Sequence, residues 1–243
     1  MKTYLIAAAL TGLAGTVSAA TATDVVYKLS DSASYSAPKA DAYTTWIGGG
    51  GLNEGVSGAA DLTANGIDYK SSWVESNWGD VLSVLVGIYD GGVLQAYVEF
   101  DAAGTTKTDF FDVANVLSSS WSDITSASHN FFSPAGDGTY SRRWFINSTY
   151  GGCGSDSGHM VVVEAVSSPC VWENNNKPAG DPSRMFFYAD AGTAQLYQGG
   201  SVATGDVFAI SVTYTVAAVP VPASGLLLAG ALGLFGLRRR RKG

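Results

Sequence analysis

Histidine, cysteine and basic residues are scarce in this chain of 243 residues. It contains two histidines, two cysteines and 14 lysines and arginines, against 21 aspartates and glutamates. His129 and His159 do not stand at a zinc-ligand spacing from Cys153 and Cys170, which argues against a structural zinc site. The sequence also has no internal repeat of fixed period, which disfavours a solenoid or a propeller.

Six of the 14 basic residues lie at the two ends of the chain, outside the part that holds the acidic residues. All acidic residues lie between Asp24 and Asp206, and this part of the chain holds eight basic against 21 acidic residues, a net charge of −13. A domain of that charge repels the phosphate backbone, so we expect no nucleic-acid partner.

A long uncharged run, Ala223 to Leu237, lies near the C-terminal end. It follows Val219-Pro220-Val221-Pro222 and precedes the basic cluster Arg238-Arg239-Arg240-Arg241-Lys242. A helix from Pro222 to Leu237 has 16 residues and, at about 1.5 Å per residue, is about 24 Å long, somewhat less than the hydrocarbon core of about 30 Å. The pattern predicts a short transmembrane helix whose basic cluster stays in the cytoplasm.

The order of these three parts resembles the PEP-CTERM sorting signal, most closely its VPLPA-like variant. The resemblance rests on Val219, Pro220, Val221, Pro222 and Ala223 and covers about a tenth of the chain. Val221 departs from the glutamate of the founding motif. The resemblance implies that an exosortase-like membrane protease cuts near the Pro-x-Pro motif. It also implies that the protein is released or re-anchored at the surface of a Gram-negative bacterium, in its extracellular polysaccharide layer.

The start of the chain is typical of a secretory signal peptide. A basic start at Lys2 precedes the apolar run Tyr4 to Leu13 and the small residues Val17-Ser18-Ala19. We expect cleavage after Ala19 or Ala20. The chain then divides into a signal peptide (1–20), an exported domain (21–218) and a C-terminal sorting signal (219–243).

The two cysteines, Cys153 and Cys170, are predicted to form a disulfide. An even number of cysteines in an exported domain favours pairing, because the compartment is oxidising. The closed loop is short, and in the chain-entropy account it stabilises the fold by about 3 kcal/mol.

The pattern between the two signals predicts an all-β fold: a single antiparallel β-sandwich of jelly-roll or lectin-like type. Alternating apolar residues mark a hairpin in particular, with its turn at Asp90-Gly91. The segment Phe110–Leu117 fits a strand or a helix. The predicted strands are Val25–Leu29, Tyr43–Ile47, Val81–Tyr89, Val93–Phe100, Arg142–Asn147, His159–Val166, Arg184–Asp190 and Val207–Val216.

Aromatic residues suggest a function in carbohydrate binding. All six tryptophans lie in the exported domain, and Trp73 and Trp78 stand in the polar segment Ser71 to Asp80, where we expect at least one to be exposed. Exposed aromatic rings stack on sugar faces. The chain is therefore predicted to be a structural or carbohydrate-associated surface protein, with exopolysaccharide as a partner.

An alternative is a secreted polysaccharide hydrolase or lyase. Glu99 and Asp101 are two residues apart on a predicted strand and so share a face. This spacing is similar to the acidic motif of retaining glycosidases built on lectin-like sandwiches. The third acidic residue of that motif is missing, because Ala102, Ala103 and Gly104 follow.

Two further patterns carry weaker hypotheses. The run from Cys153 to Gly158 resembles the nucleophile loop of trypsin-like proteases, but the histidine spacing does not fit Ser157 as a nucleophile. No cofactor is predicted, with calcium as the open alternative, because oxygen ligands occur in several turns. These ligands are Asp90, Asp137, Glu173, Asn174, Asn175, Asn176 and Asp181.

Overall fold

The computed structural model describes residues 20–31, 41–126, 129–164, 169–174 and 184–216. The predicted signal peptide up to residue 19, the sorting motif Val219–Ala223 and the basic cluster Arg238–Lys242 lie outside them. The chain divides into two units, and the architecture below is that of Ala22–Thr215. Within the described ranges, no helix is long and apolar enough to cross a membrane.

Strands account for most of the regular structure. The described residues form β1 (Ala20–Ser30), β2 (Tyr69–Lys70), β3 (Val81–Asp90), β4 (Val93–Asp101), β5 (Val116–Ser119), β6 (Phe131–Ser133), β7 (Arg142–Thr149), β8 (Ser157–Val163), β9 (Met185–Ala189), β10 (Gln195–Leu196), β11 (Val202–Gly205) and β12 (Val207–Val216). The helices are short: α1 (Ala42–Ile47), α2 (Val74–Asn77), α3 (Val171–Asn174) and the 3₁₀ turns Trp78–Asp80 and Val113–Asn115.

The strands form two antiparallel sheets. The first has the order β2-β1-β12-β3-β4-β5, and the second has the order β11-β9-β8-β7-β6 with β10 paired to β8. The prediction of a mostly β, antiparallel fold is confirmed. Sequence neighbours β3 and β4 form a hairpin, whereas β12 returns to lie beside β1 and β3, so the sheets combine local and distant pairings.

One hydrophobic core joins inward-facing residues of both sheets. From the first sheet it takes residues such as Val84, Val98 and Phe208, and from the second Ile146 and Met160, all fully buried. These residues follow the two-residue period of a strand with one face in the core.

The β3–β4 hairpin is confirmed as predicted, except for its turn. Its cross-strand pairs include Val84 with Phe100 and Val86 with Val98. The turn residues are Gly91 and Gly92, with φ of 56° and 81°, and not Asp90-Gly91 as predicted. Glycine adopts this left-handed conformation without the steric cost that a Cβ brings, which explains why two of them stand here.

The predicted strand Tyr43–Ile47 is wrong, because these residues belong to helix α1. The Asp41 side chain accepts a hydrogen bond from the Thr44 backbone N–H at 2.6 Å and caps the start of the helix. At the other end, Lys107 Nζ donates to the carbonyls of Trp46 and Ile47. These tertiary and capping contacts override the strand preference of the aromatic and β-branched residues.

The predicted strands in the second half of the chain correspond to observed strands, most of them with shifted ends. The predicted strand Val207–Val216 matches β12, and Arg142–Asn147, His159–Val166 and Arg184–Asp190 correspond to β7, β8 and β9. The ambiguous segment Phe110–Leu117 contains a 3₁₀ turn and the first residues of β5.

Trp144 adopts an unusual backbone conformation in β7. Its φ is 47°, a region that a bulky residue rarely occupies. The pairing of β7 with β8 shifts register between Arg143 and Ile146, as a bulge does. The distortion places the indole in the core, where its ring lies 5.6 Å from that of Trp46 and 5.5 Å from that of Phe208.

Candidate functional site

A surface groove lies at the β2 edge of the first sheet. Its volume is about 510 Å³. Three aromatic side chains line it together with small and polar residues. The lining residues are Thr23, Asp24, Val25, Val26, Ala60, Tyr69, Ser71, Trp73 and Tyr214.

Two aromatic rings form the centre of the groove. The rings of Trp73 and Tyr214 lie 4.5 Å apart with planes inclined by 45°. Tyr214 donates a hydrogen bond from its hydroxyl to Asp24 Oδ2 at 2.7 Å, and this bond raises the pKa of the Tyr214 phenol. Both rings also pack against the core, so each presents an apolar wall that is held in place.

Pairing of β2, β1 and β12 brings the groove residues together. Tyr69 pairs with Lys28 across β2 and β1, and the Ser71 N–H donates to the Val26 carbonyl at 2.8 Å. On the other side, the register of β12 shifts between Thr213 and Tyr214. The segment that carries Trp73 is therefore fixed against β1, opposite the end of β12.

Comparison of the chain with protein-family models, with curated proteins and with solved structures found no match. The site therefore has to be interpreted from its own geometry.

The expectation for the polar tryptophan segment is met only in part. Trp73 is half-buried and reaches the groove, whereas Trp78 is buried, with its Nε1 donating to Thr105 Oγ1 at 3.2 Å. Sequence reasoning did not find Tyr69 and Tyr214 as members of the site. The polar residues around Trp73 were the only local signal.

The predicted disulfide joins Cys153 to Cys170, and its formation is confirmed. It ties the loop between β7 and β8 to the segment that begins α3. Beside it, the Arg142 guanidinium is buried and donates from Nε to Glu173 Oε1 at 2.9 Å. Burial by itself lowers the pKa of Arg142, but the hydrogen bond and charge of Glu173, together with Tyr150 and Asp156, raise it above its ordinary value.

A second buried arginine holds the region around α1. Arg184 Nη1 lies 2.8 Å from Asp68 Oδ1, and its Nε lies 3.2 Å from Glu164 Oε1. The same Glu164 oxygen accepts from the Ala42 N–H at 2.9 Å. Burial raises the pKa of Glu164 to about 7, although Arg184 opposes this shift. The cluster connects β1, α1, β8 and β9, and we assign it a structural role.

The two carboxylates proposed for the alternative enzyme take part in local structure. Glu99 Oε2 accepts from Ser118 Oγ at 3.1 Å, and Asp101 Oδ1 accepts from the Ala103 N–H at 2.9 Å. They project from β4 away from the core, since Val98 and Phe100, which alternate with them along the strand, are buried. Neither lines the groove.

Ser157 begins β8, and His159 follows two residues later on the same strand. His159 Nε2 is hydrogen-bonded to Asp123 Oδ1 at 2.8 Å, and its Nδ1 has no hydrogen-bond partner among the described residues. Burial lowers the pKa of His159, against the opposing effect of Asp123.

The predicted oxygen ligands for calcium are dispersed. Asp137 accepts hydrogen bonds from Thr139 and Tyr140 N–H groups and from the Tyr150 hydroxyl, and Glu173 pairs with Arg142. In the described ranges, no three His, Cys, Asp or Glu side chains form a group that could hold a metal ion. Asn175, Asn176 and Asp181 lie outside those ranges.

Proposed function

We propose that the protein is an exported surface or extracellular-matrix component that binds carbohydrate through the Trp73–Tyr214 groove. The aromatic groove is the observation that supports this function. Aromatic walls stack on the apolar faces of sugar rings, and the neighbouring carboxylate and hydroxyls of Asp24, Thr23 and Ser71 can exchange hydrogen bonds with sugar hydroxyls. No lysine or arginine lines the groove. This favours an uncharged or weakly charged polysaccharide.

The proposal includes the route to the cell surface. The signal peptide (1–20) directs export, and an exosortase-like protease reads the C-terminal signal with its short transmembrane helix. The exported domain (21–218) is, in this proposal, a β-sandwich of jelly-roll or lectin-like type associated with exopolysaccharide. The Cys153–Cys170 disulfide supports this route, because such bonds persist in oxidising compartments.

Intact mass tests the processing. We expect the protein made in a Gram-negative host that has an exosortase to begin at Ala20 or Thr21 and to end between Val219 and Ala223. A host lacking the exosortase is the matched control, and there the C-terminal signal should remain. A species from the first host that still ends in the arginine cluster would contradict sorting and indicate a plain membrane anchor.

Replacing Trp73 with alanine tests carbohydrate binding. We expect the affinity for whichever soluble glycan the protein binds to fall by about tenfold or more. The reason is that removing an aromatic anchor lowers the binding free energy by on the order of 1–2 kcal/mol. Affinity electrophoresis in gels containing dextran, galactomannan or xylan measures the change. Because Trp73 also packs on the core, an Ala60→Arg variant provides a second test by filling the groove.

Tyr97→Ala is the matched control, since Tyr97 is a partly exposed aromatic residue on β4, two strands away from β12. It should bind like the unmodified protein. The proposal fails if the protein binds none of these glycans, or if the groove variants bind as well as the control. Release of reducing sugars from a glycan would instead favour the enzyme alternative. If the double variant Glu99→Gln/Asp101→Asn no longer releases them, the catalytic site contains these two carboxylates.

A further inference from the structure

A second cavity lies beside the disulfide, on residues of β7, β8 and their loops. Its volume is about 260 Å³. It shares no lining residue with the Trp73–Tyr214 groove. The lining residues are Tyr140, Arg142, Tyr150, Gly152, Cys153, Asp156 and Cys170.

Arg142 is the residue with unsatisfied hydrogen-bonding capacity at this cavity. Its side chain is 2% exposed. Its Nε donates to Glu173, and its Nη2 lies 3.5 Å from Asp156 Oδ2. Its Nη1 is buried and has no hydrogen-bond partner among the described residues. A buried donor without an acceptor is costly, so the site is suited to an additional oxygen acceptor.

Two neighbouring side chains also have a buried polar atom without a hydrogen-bond partner. Trp172 Nε1 and Tyr197 Oη are buried and also lack partners in the described ranges. The Trp172 ring centre lies 4.9 Å from Arg142 Cζ and 4.7 Å from the Tyr197 ring centre. Trp172 packs beside Arg142 and Tyr197 beside Trp172, but neither residue lines the cavity, so among the described residues that line it Arg142 is the one with an unpartnered buried donor.

The charges around Arg142 limit the kind of acceptor. Glu173 and Asp156 both approach its guanidinium, and Asp137 accepts a hydrogen bond from the cavity residue Tyr150 at 2.6 Å. Carboxylates thus outnumber the single cation. An anionic ligand would be repelled here, whereas an uncharged hydroxyl or ring oxygen can accept from Arg142 without that penalty.

Two tyrosine rings near Arg142 provide a flat surface against which a sugar ring can pack. The Tyr140 and Tyr150 ring centres lie 5.6 Å and 5.1 Å from Arg142 Cζ. We propose that this cavity binds one uncharged sugar unit, with a sugar oxygen accepting from Arg142 Nη1, a sugar hydroxyl donating to Asp156 and the sugar ring against a tyrosine. Nη1 is buried, so the proposal requires a side chain beside it to move when the sugar enters, and we assign this movement to Tyr140, which is 36% exposed.

Titration of the ¹⁵N-labelled full chain with monosaccharides tests the site. The probes are D-glucose, D-galactose and D-mannose, with D-glucuronate as the anionic comparison. In a Trp73→Ala background, which disables the groove, we expect at least one neutral sugar to shift the amide signals of Gly152, Cys153 and Asp156. Glucuronate should bind at least about tenfold more weakly. This background separates failure of the cavity from failure of the groove.

Two variants locate the binding. Arg142→Met combined with Glu173→Gln and Asp156→Asn removes the cation together with both carboxylates that approach it, and Tyr140→Ala leaves these ion pairs intact. Both should weaken binding by about tenfold or more, whereas Glu173→Gln alone should retain it. The proposal is overturned if no neutral sugar shifts these signals, if glucuronate binds more tightly, or if both variants bind unchanged.

Discussion

Replacing Trp46 with alanine should lower the free energy of unfolding by about 3–5 kcal/mol, the range found when a large aromatic residue is removed from a core. Trp46 is fully buried, and its ring lies 5.4 Å from that of Tyr27 and 6.0 Å from that of Trp78. Its Nε1 also donates to the Lys107 carbonyl at 2.7 Å. The substitution therefore creates a cavity and leaves an acceptor without its donor.

Urea unfolding with the disulfide intact measures this loss. Ile47→Ala is the matched control, because the neighbouring residue on α1 is 38% exposed and its truncation should cost much less. A Trp46→Ala protein that unfolds within about 1 kcal/mol of the control would mean that this aromatic cluster contributes little to stability.

Replacing Arg184 with methionine should be similarly damaging, at about 3–5 kcal/mol, because it removes the nearest cation from two buried carboxylates. Asp68 and Glu164 are those carboxylates, and Arg184 is 1% exposed. One of them, Glu164, keeps the more distant Arg143, whose Nε lies 3.8 Å from Oε2.

The expected loss of stability on replacing Arg184 depends on pH. The folded-state pKa of Glu164, about 7, lies above its ordinary value of 4.5. Proton binding to Glu164 therefore favours the folded state as the pH falls from above about 7 towards 4.5.

The destabilisation by Arg184→Met should thus be larger at pH 8 than at pH 5.5, since a protonated Glu164 needs no cation. Unfolding curves at both pH values provide the comparison. In the triple variant with Asp68→Asn and Glu164→Gln the stranded charges are gone, so much of the stability should return and the difference between the two pH values should shrink. Equal losses at the two pH values would contradict the role given to Glu164.

Regular alternation made part of the fold predictable. Apolar residues at every second position identified β3, β4 and β12, which lie side by side in the first sheet. The shorter strands β6, β10 and β11 have only two to four residues, which is too few for a period to emerge. The helix α1 was missed because its aromatic and β-branched residues favour a strand, and although Asp41 caps its start locally, the contacts at its other end come from Lys107, far away in the sequence.

The sites were less predictable than the strands. Trp73 was a candidate because it stands among polar residues, but its partner Tyr214 is 141 positions later and follows an otherwise regular apolar alternation. The Arg142 cavity gave no signal at all. Arg142 and Glu173 are separated by 31 residues, and only folding and the disulfide bring them together. Pairwise contacts over such distances are not encoded in local pattern.

The position of the groove at the end of β12 has a mechanical consequence. Tyr214 precedes the predicted sorting motif at Val219 by only five residues. If the proposed anchoring and polysaccharide binding both hold, tension on Tyr214 passes along the end of β12 towards that attachment. Tension on Trp73 instead passes through its contact with Tyr214 and through the backbone bond that joins its segment to β1.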